Sequence, residues 1–509
     1  MKDFARIGAT VRIFSQRLLT PGNTLSQRVV HAGFWAFSLR IVDRLFGLIR
    51  SIILARLLVP EDFGLFGIAL LAISVLDAFS QTGFQAALIQ KKSDVKPYLD
   101  TAWTVQVMRG FVLATILDAT APIVATFFNE PCAAMLLRVL ALSKVAEGFA
   151  NIGVIFFQKE LSFQKQFLYM FSGTLADFSA ATIAAVLMRN AWALVFGFLT
   201  GNIVRAVVSY ILHEHRPNIM LNKELAREMY RFGRWIMATN IMVFLATNGD
   251  NAIVGKVLGA GALGLYQMAF QFSNLMRTEI TAVLSQVAFP AFVLLQDNVV
   301  SLKKAFLKTL QATFGLSFPL TIGIIMLGSE FVRLFLGDAW VLMSPTLQIL
   351  AISGLIRSVV ATGGPLFKGT GRPQLDFWMN VVRVGVMAVL IYPLTSHYGT
   401  EGTAISVVLG IAATLPIWWI ASKSIAQVDW QTFLGCFFPS AVAAVVMSAT
   451  IAFFKTILDT ATLAGFILVS AVAVSVYASI YFALLRKNRF GPFRLLGYND
   501  QGGRELHSK

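Results

Sequence analysis

Runs of about 18–25 apolar residues alternate with short polar segments along nearly the whole chain. A helix of that length spans the roughly 30 Å hydrocarbon core of a bilayer. The chain is 57% hydrophobic and 13% charged, whereas soluble domains carry about 25% charged residues. The pattern therefore predicts an all-α integral membrane protein with about fourteen transmembrane helices.

The two halves of the chain begin with the same helix–turn–helix pattern. Ile53–Leu58 (ILARLL) matches Ile253–Leu258 (IVGKVL), and the glycine-containing segment Phe63–Ala69 matches Leu263–Ala269 at the same offset. Internal repeats of this kind are typical of transporters built from two related bundles. We therefore expect two pseudo-symmetric six-helix lobes, followed by two further C-terminal helices.

The apolar runs and polar connectors also predict the domain boundaries. In chain order we expect a basic amphipathic N-terminus (1–30), an N-lobe of six spans (31–212), an amphipathic connector (213–234), a C-lobe of six spans (235–422), two extra spans (423–486) and a basic tail (487–509). The middle of the connector, Lys223–Phe232, has helical periodicity. We interpret the connector as an amphipathic linker on the cytoplasmic surface that joins the two lobes.

The net charge of +16 raises the question of a nucleic-acid partner, but the distribution of the basic residues argues against one. Lysine and arginine are concentrated in alternate short loops between apolar runs. Loops on the opposite side hold few of them, namely Arg189, Arg333 and Lys455. Under the positive-inside rule this asymmetry places both termini in the cytoplasm.

Two glycine-rich segments resemble nucleotide-binding motifs. Gly259–Gly264 matches G-x-G-x-x-G but lies between two apolar runs, without the strand that a dinucleotide site requires. Lys368–Pro373 is basic and glycine-rich but is not a Walker motif. We interpret both as turns, and because histidine and cysteine also lack metal-ligand spacing, we expect no metal and no organic cofactor.

The charged residues inside the apolar runs are the candidates for function. Arg40, Asp43 and Arg44 share one helix face, and Arg50 lies near the same side. Asp250 stands at the position of Arg50 in the second repeat. These groups either form ion pairs between helices or line a wet cavity, because isolated charges are costly in hydrocarbon.

Two further charges, Arg277 and Glu279, lie deep in the predicted eighth span. A mostly basic cavity suits an anionic substrate such as a phosphate, and carboxylates there could bind a coupling Na⁺ or H⁺. Other intramembrane charges are interpreted as ion pairs or as side chains that reach to the interface. They are Asp77, Arg109, Arg138, Glu147, Asp177, Arg205, Arg357 and Arg383.

The opening motif, Arg-x-x-Asp-Arg followed by Ala55–Gly64 (ARLLVPEDFG), resembles polysaccharide flippases. These form the polysaccharide-transporter branch of the multidrug/oligosaccharidyl-lipid/polysaccharide exporter superfamily. The stretch Asn248–Gly259 is also similar to that branch. The resemblance implies a bundle around a central cavity in the bacterial inner membrane.

The resemblance further implies a transporter rather than an enzyme. It would carry an undecaprenyl-pyrophosphate-linked oligosaccharide from the cytoplasmic to the outer leaflet by alternating access, for exopolysaccharide, capsule or O-antigen synthesis. Arg40, Arg44, Arg50 and Arg277 would contact the pyrophosphate or sugar. Asp43, Asp250 and Glu279 would couple transport to an ion. Partners would be membrane lipid, a polysaccharide polymerase and its chain-length machinery.

Other functions remain open at this point. The same fold could serve a peptidoglycan lipid-precursor flippase or an ion-coupled drug antiporter, although an exporter of cations would need an acidic cavity. A membrane polysaccharide polymerase or ligase is an alternative of another class. Such enzymes usually carry a sizeable external loop, whereas the predicted outside loops of this chain are short.

Overall fold

A computed structural model describes residues 25–81, 83–91, 94–160 and 162–487 of the 509. These residues form α-helices joined by short turns, and no β-strand occurs among them. The predicted all-α fold class is therefore confirmed. The predicted N-terminal amphipathic segment, apart from its last residues, and the basic tail lie outside the described residues.

Eight α-helices occupy the first part of the chain. They are α1 (Leu25–Leu57), α2 (Pro60–Ser80), α3 (Phe84–Gln90), α4 (Lys96–Phe128), α5 (Pro131–Gly148), α6 (Ile155–Lys159), α7 (Phe163–Met188) and α8 (Trp192–Leu212). A 3₁₀ turn, Ile152–Val154, connects α5 to α6.

Eight more helices follow in the second part. They are α9 (Lys223–Leu295), α10 (Val299–Phe331), α11 (Ser344–Ala361), α12 (Gly363–Gly369), α13 (Gln374–Ala412), α14 (Leu415–Ala426), α15 (Trp430–Ile457) and α16 (Leu463–Lys487). A π-helical turn, Val332–Leu336, and a 3₁₀ segment, Asp338–Met343, separate α10 from α11.

Ten described helical segments are long and apolar enough to cross a membrane, and α5 with α6 forms a bent pair that could be an eleventh. Two helices are too long for one crossing. A straight helix of 73 residues, the length of α9, would extend about 110 Å, more than three times the roughly 30 Å hydrocarbon core. Both α9 and α13 are broken, at Gly259 and Gly399. The chain is a multi-pass membrane protein, and the number fourteen stays a prediction.

The turns predicted from the sequence occur where expected. Between α1 and α2, the Asp62 carboxylate accepts a hydrogen bond from the Val59 N–H (3.1 Å), and Pro60 occupies the first helical position. Both features favour a helix start there. Asn129 and Arg189 end α4 and α7 in the left-handed region, with φ of 58° and 49°.

The glycine-rich segment of the second repeat is also a turn. Gly259 interrupts α9 with φ +83° and ψ −179°, a conformation that favours glycine. The N–H of Ala260, just after the break, donates to the Glu130 carboxylate (3.1 Å). The Glu130 carboxylate thus accepts a backbone N–H at this turn, as the Asp62 carboxylate does at the first turn.

The chain divides into two compact units. The first comprises Met1–Ala252 with Gly259–Gly261, and the second comprises Ile253–Leu258 with Ala262–Lys509. In the first unit, α7 and α8 pack closely because Gly197 and Gly201 face Asp177. A methyl group at either glycine would lie within 2.9 Å of that residue. Small residues allow such close approach of membrane helices.

The second unit is held around an aromatic core. Phe306, Phe314 and Trp418 are almost completely buried there. The C-terminal helix α16 is fixed on α10 because the Tyr477 and Tyr481 hydroxyls donate to the carbonyls of Gly315 (3.1 Å) and Gln311 (2.9 Å). The two extra C-terminal helices are therefore part of this unit's packing. The predicted domain boundaries themselves stay predictions.

The helical periodicity noted in the middle of the connector, from Lys223, coincides with the start of a helix. Residues 213–222 are non-helical, and α9 begins at Lys223 and continues past residue 234. The extended part lies along α4 because side chains of α4 accept its backbone N–H groups. Asn218 donates to Asp100 (3.1 Å) and Met220 to Thr104 (3.0 Å). The helical pattern of Lys223–Phe232 is therefore confirmed, and the placement of the connector on the membrane surface stays a prediction.

His213 packs where the connector leaves α8, in surroundings that favour its neutral form. Its ring stacks on Phe156 at 5.4 Å, and its Nδ1 accepts the His215 N–H (3.1 Å). Burial lowers the pKa of His213, with smaller contributions from His215 and Lys165, against the carboxylates of Glu160 and Glu214. The folded state therefore favours the neutral ring. Its contribution to stability is present above the unfolded pKa of about 6.5 and is lost as the pH falls.

We expect trypsin to cleave the folded protein after Arg216 faster at pH 5.5 than at pH 8, after correction for the enzyme's own pH dependence. His213→Phe keeps an aromatic ring against Phe156 but cannot titrate, so its cleavage rate should change less with pH. An equal acceleration in the parent and in His213→Phe would show that another group controls the connector.

Candidate substrate-binding cavity

The first unit contains a cavity of about 590 Å³, within the roughly 300–1,000 Å³ range of small-molecule sites. It lies among α3, α4, α7, α8 and the connection between α5 and α6. Its lining is rich in amides, with cations, a carboxylate and a phenol. The polar lining residues are Gln81, Gln85, Gln106, Arg109, Glu147, Asn151, Gln158, Gln166, Tyr169, Asn202 and Arg205.

A charge network includes two residues of the cavity lining, Arg109 and Glu147. The Asp77 carboxylate of α2 binds Arg109 of α4 through one oxygen and Lys144 of α5 through the other, each at 2.7 Å. Lys144 also binds Glu147 at 2.6 Å, and its side chain is only 6% exposed. The buried ammonium thus has two carboxylates as partners, which is the arrangement that makes a buried cation tolerable.

Further hydrogen bonds fix this network. Arg109 Nε donates to the Ser80 carbonyl and lies 3.1 Å from the Ser80 hydroxyl. The Gln106 amide donates to the carbonyls of Glu147, Gly148 and Ala150, each at 3.1 Å, where α5 ends. These bonds satisfy helix-terminal carbonyls and hold α4 against the end of α5.

Arg205 of α8 also lines the cavity. One of its terminal nitrogens lies 3.5 Å from the Asn202 amide oxygen, and its Nε is buried without a hydrogen-bond partner. The side chain lies over Gly173 of α7, where a methyl group would approach it to 2.3 Å. Glycine at that position therefore leaves room for the guanidinium beside the cavity.

The lining defines the chemistry that the cavity can recognise. Amide side chains both donate and accept hydrogen bonds, which matches the hydroxyl groups of a sugar. Arg109 and Arg205 present donors that suit a phosphate or a sugar acid. No three His, Cys, Asp or Glu side chains of the described chain are grouped as metal ligands.

Two of the charges predicted in α1, Asp43 and Arg50, make contacts with α7. Arg50 forms a two-pronged ion pair with Asp177, with both N–O distances at 3.0 Å. The Asp43 carboxylate accepts a hydrogen bond from the Thr174 hydroxyl (2.9 Å). Arg44 is an exposed residue of α1. None of the three is among the residues lining the cavity, and their predicted roles stay predictions.

The other predicted site residues lie elsewhere. Asp250 is 4% exposed in α9, and its carboxylate accepts the N–H of Asn251 (2.9 Å). The side chains of Arg40, Arg277 and Glu279 lie outside the described part of the structure. Asp250 is not among the residues lining the cavity, and the roles predicted for these four residues stay predictions.

The cavity was not predicted from the sequence, although several of the charged residues in and beside it had been noted there. Asp77, Arg109, Glu147 and Arg205 are all intramembrane charges that we interpreted as ion pairs or interface anchors. That interpretation is right for Asp77 and Arg109 and incomplete for Arg205. Lys144 was not singled out from the sequence, although it lies in the same apolar run as Glu147.

Comparison with known proteins identifies the family. The model of the family described as polysaccharide biosynthesis protein matches residues 53–345, more than half of the chain. The chain belongs to the polysaccharide biosynthesis protein family. Membership confirms the resemblance carried by the opening motif, which lies partly within the matched segment.

Several individual proteins are similar to this chain over about two thirds of its length or more. The lipopolysaccharide biosynthesis protein WzxC of Escherichia coli K12 is 28% identical over 389 residues, 76% of this chain and 78% of WzxC. The succinoglycan biosynthesis transport protein ExoT of Rhizobium meliloti is 22% identical over 405 residues, 79% and 81% of the two chains. The teichuronic acid biosynthesis protein TuaB of Bacillus subtilis is 24% identical over 337 residues, 66% and 69%.

Solved structures show which fold this family member has. The lipid II flippase MurJ in an inward closed conformation aligns with a TM-score of 0.72 at 15% identity, covering 89% of this chain and 99% of MurJ. An inward-facing multidrug resistance MATE transporter aligns with a TM-score of 0.60 at 17% identity, covering 77% and 98%. The chain thus has the fold of these transporters.

Proposed function

We propose that the protein carries a lipid-linked oligosaccharide from the cytoplasmic to the outer leaflet of the bacterial inner membrane, for synthesis of a surface polysaccharide. One observation carries this proposal. The protein belongs to the polysaccharide biosynthesis protein family, is built of membrane-spanning helices and contains a cavity lined by amides and arginines. Such a polar lining would be costly in a helical bundle that had no polar substrate.

The chemistry of the cavity fits the head of such a substrate. Sugars offer many hydroxyls to the amide side chains, and the pyrophosphate or an acidic sugar offers oxygens to Arg109 and Arg205. The prenyl chain needs no polar partner and would stay in the bilayer. Movement of the head by alternating access then avoids exposing it to hydrocarbon.

The position of the cavity agrees with loading from the cytoplasm. If the N-terminus is cytoplasmic, as predicted, α2 and α5 both run from the outer face of the membrane to the cytoplasmic face. Asp77 and Lys144 lie in the last turns of these helices and therefore near the cytoplasm. The cavity beside them would face the leaflet in which lipid-linked repeat units are assembled. The same orientation places the C-terminal tail in the cytoplasm.

The names of the relatives support a role in polysaccharide export. ExoT is named as a transport protein for succinoglycan biosynthesis, and WzxC and TuaB are named for lipopolysaccharide and teichuronic acid biosynthesis. We extend to this chain a transport role without an enzymatic step. A polymerase with its chain-length machinery would consume the product on the outer side.

Energy for transport would come from a coupling ion. We propose Na⁺ or H⁺, with Asp43, Asp250 and Glu279 as the carboxylates that would respond to it. Among these, Asp250 is 4% exposed within α9. We expect Asp250→Asn to abolish transport while the protein still inserts normally into the membrane. Normal transport in this variant would rule out the role of Asp250 in coupling.

A deletion strain tests the proposed function. Without the gene, a labelled lipid-linked oligosaccharide should accumulate on the cytoplasmic leaflet, and the wild-type chain should restore both its outward movement and the polymer. Accumulation on the outer leaflet without polymer would instead place the defect after translocation and favour a polymerase or ligase.

A further inference from the structure

The proposed function gives no role to Glu147, the one carboxylate among the described residues that line the cavity of the first unit. Its side chain is 49% exposed, and its Oε2 binds the Lys144 ammonium at 2.6 Å. Lys144 is only 6% exposed, also binds Asp77, and does not line the cavity. The carboxylate is therefore the member of this ion pair that a ligand in the cavity can contact.

Close packing of α4 on α5 fixes the backbone that carries Glu147. A methyl group at Gly110 would lie 2.6 Å from the Lys144 carbonyl oxygen, and one at Gly148 would lie 3.2 Å from the Gln106 carbonyl oxygen. The Gln106 amide nitrogen already donates to three carbonyls at the end of α5. The Glu147 carboxylate thus has a defined position beside an amide whose donors are in use.

The chemistry of a carboxylate differs from that of the amides around it. An ionised carboxylate accepts hydrogen bonds and donates none, whereas an amide side chain does both. The hydroxyl groups of a neutral sugar supply the donors that Glu147 needs, and a hydrogen bond to a charged acceptor is stronger than a neutral one. A sugar acid would instead place a second anion against Glu147, and contact between like charges is strongly unfavourable.

The cations of the same cavity have the opposite preference. Arg109 is already paired with Asp77 at 2.7 Å, whereas the Nε of Arg205 is buried without a hydrogen-bond partner. Arg205 and Glu147 both act electrostatically on the hydroxyl of Tyr169, which also lines the cavity. The two charges therefore share one binding space, in which a pyrophosphate suits Arg205 and an uncharged, hydroxyl-bearing group suits Glu147.

We propose that Glu147 is a specificity-determining residue, which selects a neutral sugar next to the pyrophosphate and rejects a sugar acid at that place. This inference rests on the proposed function, because it names the class of head group that the same cavity accepts. Discrimination of this kind combines a favourable contact with the correct ligand and a repulsive contact with the wrong one.

Binding of two short-chain ligands to the purified full chain tests this assignment without a transport assay. The ligands are farnesyl pyrophosphate linked to glucose and farnesyl pyrophosphate linked to glucuronic acid, which differ only in a hydroxymethyl group and a carboxylate. Isothermal titration calorimetry in detergent micelles should show that the parent binds the glucose ligand more tightly by about tenfold or more. Glu147→Gln keeps the size of the side chain but removes its charge, so most of this preference should disappear.

Glu330→Gln is the matched control. Glu330 also pairs with a lysine, Lys455, at 2.6 Å, but it does not line the cavity. This variant should keep the preference of the parent. The ratio of the two affinities is the decisive readout, because a purely structural effect of Glu147→Gln would weaken both ligands equally.

Equal binding of the two ligands to the parent would overturn the proposal, whether or not Glu147→Gln folds. A preference that persists undiminished in Glu147→Gln would overturn it as well. In both cases the proposed function stands, provided that the sugar-linked ligands bind more tightly than farnesyl pyrophosphate alone. If neither of them does, the cavity does not recognise the sugar, and the proposed function fails together with the inference.

Discussion

Arg205→Gln is expected to lower transport of the lipid-linked oligosaccharide by about 10- to 100-fold. The guanidinium lies beside the cavity with its Nε buried and unbonded and with Asn202 at 3.5 Å. It is therefore poised to bind an anionic or hydroxyl-rich head. Glutamine keeps much of the side-chain length but removes the charge. Transport in inverted membrane vesicles, normalised to inserted protein, measures the effect.

Two control variants separate this role from a general effect of losing an arginine. Arg205→Lys retains the charge without the planar fork, so its transport should fall between those of the parent and Arg205→Gln. Arg138→Gln removes a half-exposed arginine that lies 3.6 Å from Asp118 and does not line the cavity. An equal loss of transport in Arg138→Gln and Arg205→Gln would show that the cavity has no specific role in transport.

Asp77→Leu is expected to destabilise the protein by about 3 kcal/mol, near the lower end of the 3–5 kcal/mol that breaking a buried pair costs. The substitution leaves Arg109 and the buried Lys144 without the carboxylate that joins them. The loss is limited because Glu147 still pairs with Lys144. The free energy of unfolding in mixed detergent micelles measures it.

The double variant Asp77→Leu/Lys144→Met tests the cause of this loss. Removing the buried ammonium together with its partner should restore a large part of the stability, because no isolated charge remains buried. Lys144→Met alone should cost less than Asp77→Leu, since Asp77 keeps Arg109. A double variant as unstable as the sum of the singles would show that the two groups act independently.

Much of the fold could be predicted from the sequence, because membrane helices are encoded by local features. The length of each apolar run gives the spans, and Pro60, Pro131 and the residues before them mark where helices begin. The break at Gly259 follows from the repeat, since it takes the place of the first turn. The extended part of the connector could not be predicted, because it depends on Asp100 and Thr104, more than a hundred residues earlier in the chain.

The candidate cavity was harder to predict. A charge within an apolar run indicates that the side chain either has a charged partner or faces water, but it does not indicate which of the two applies. Asp77 and Arg109 are 32 residues apart, and Arg50 and Asp177 are 127 residues apart. Both pairs depend on how the helices pack. The amides of the lining carry no comparable signal, because glutamine and asparagine are ordinary in loops and at helix ends.

Photocrosslinking from the cavity tests the central claim most directly. A photoreactive amino acid is placed at Gln166, which lines the cavity, or at Leu175, which is 42% exposed on the same helix. Membranes supplied with lipid-linked oligosaccharide labelled in its sugar are then irradiated. The account predicts labelling from position 166, suppressed by unlabelled substrate, and little from position 175. Labelling from 175 but not from 166 would contradict it.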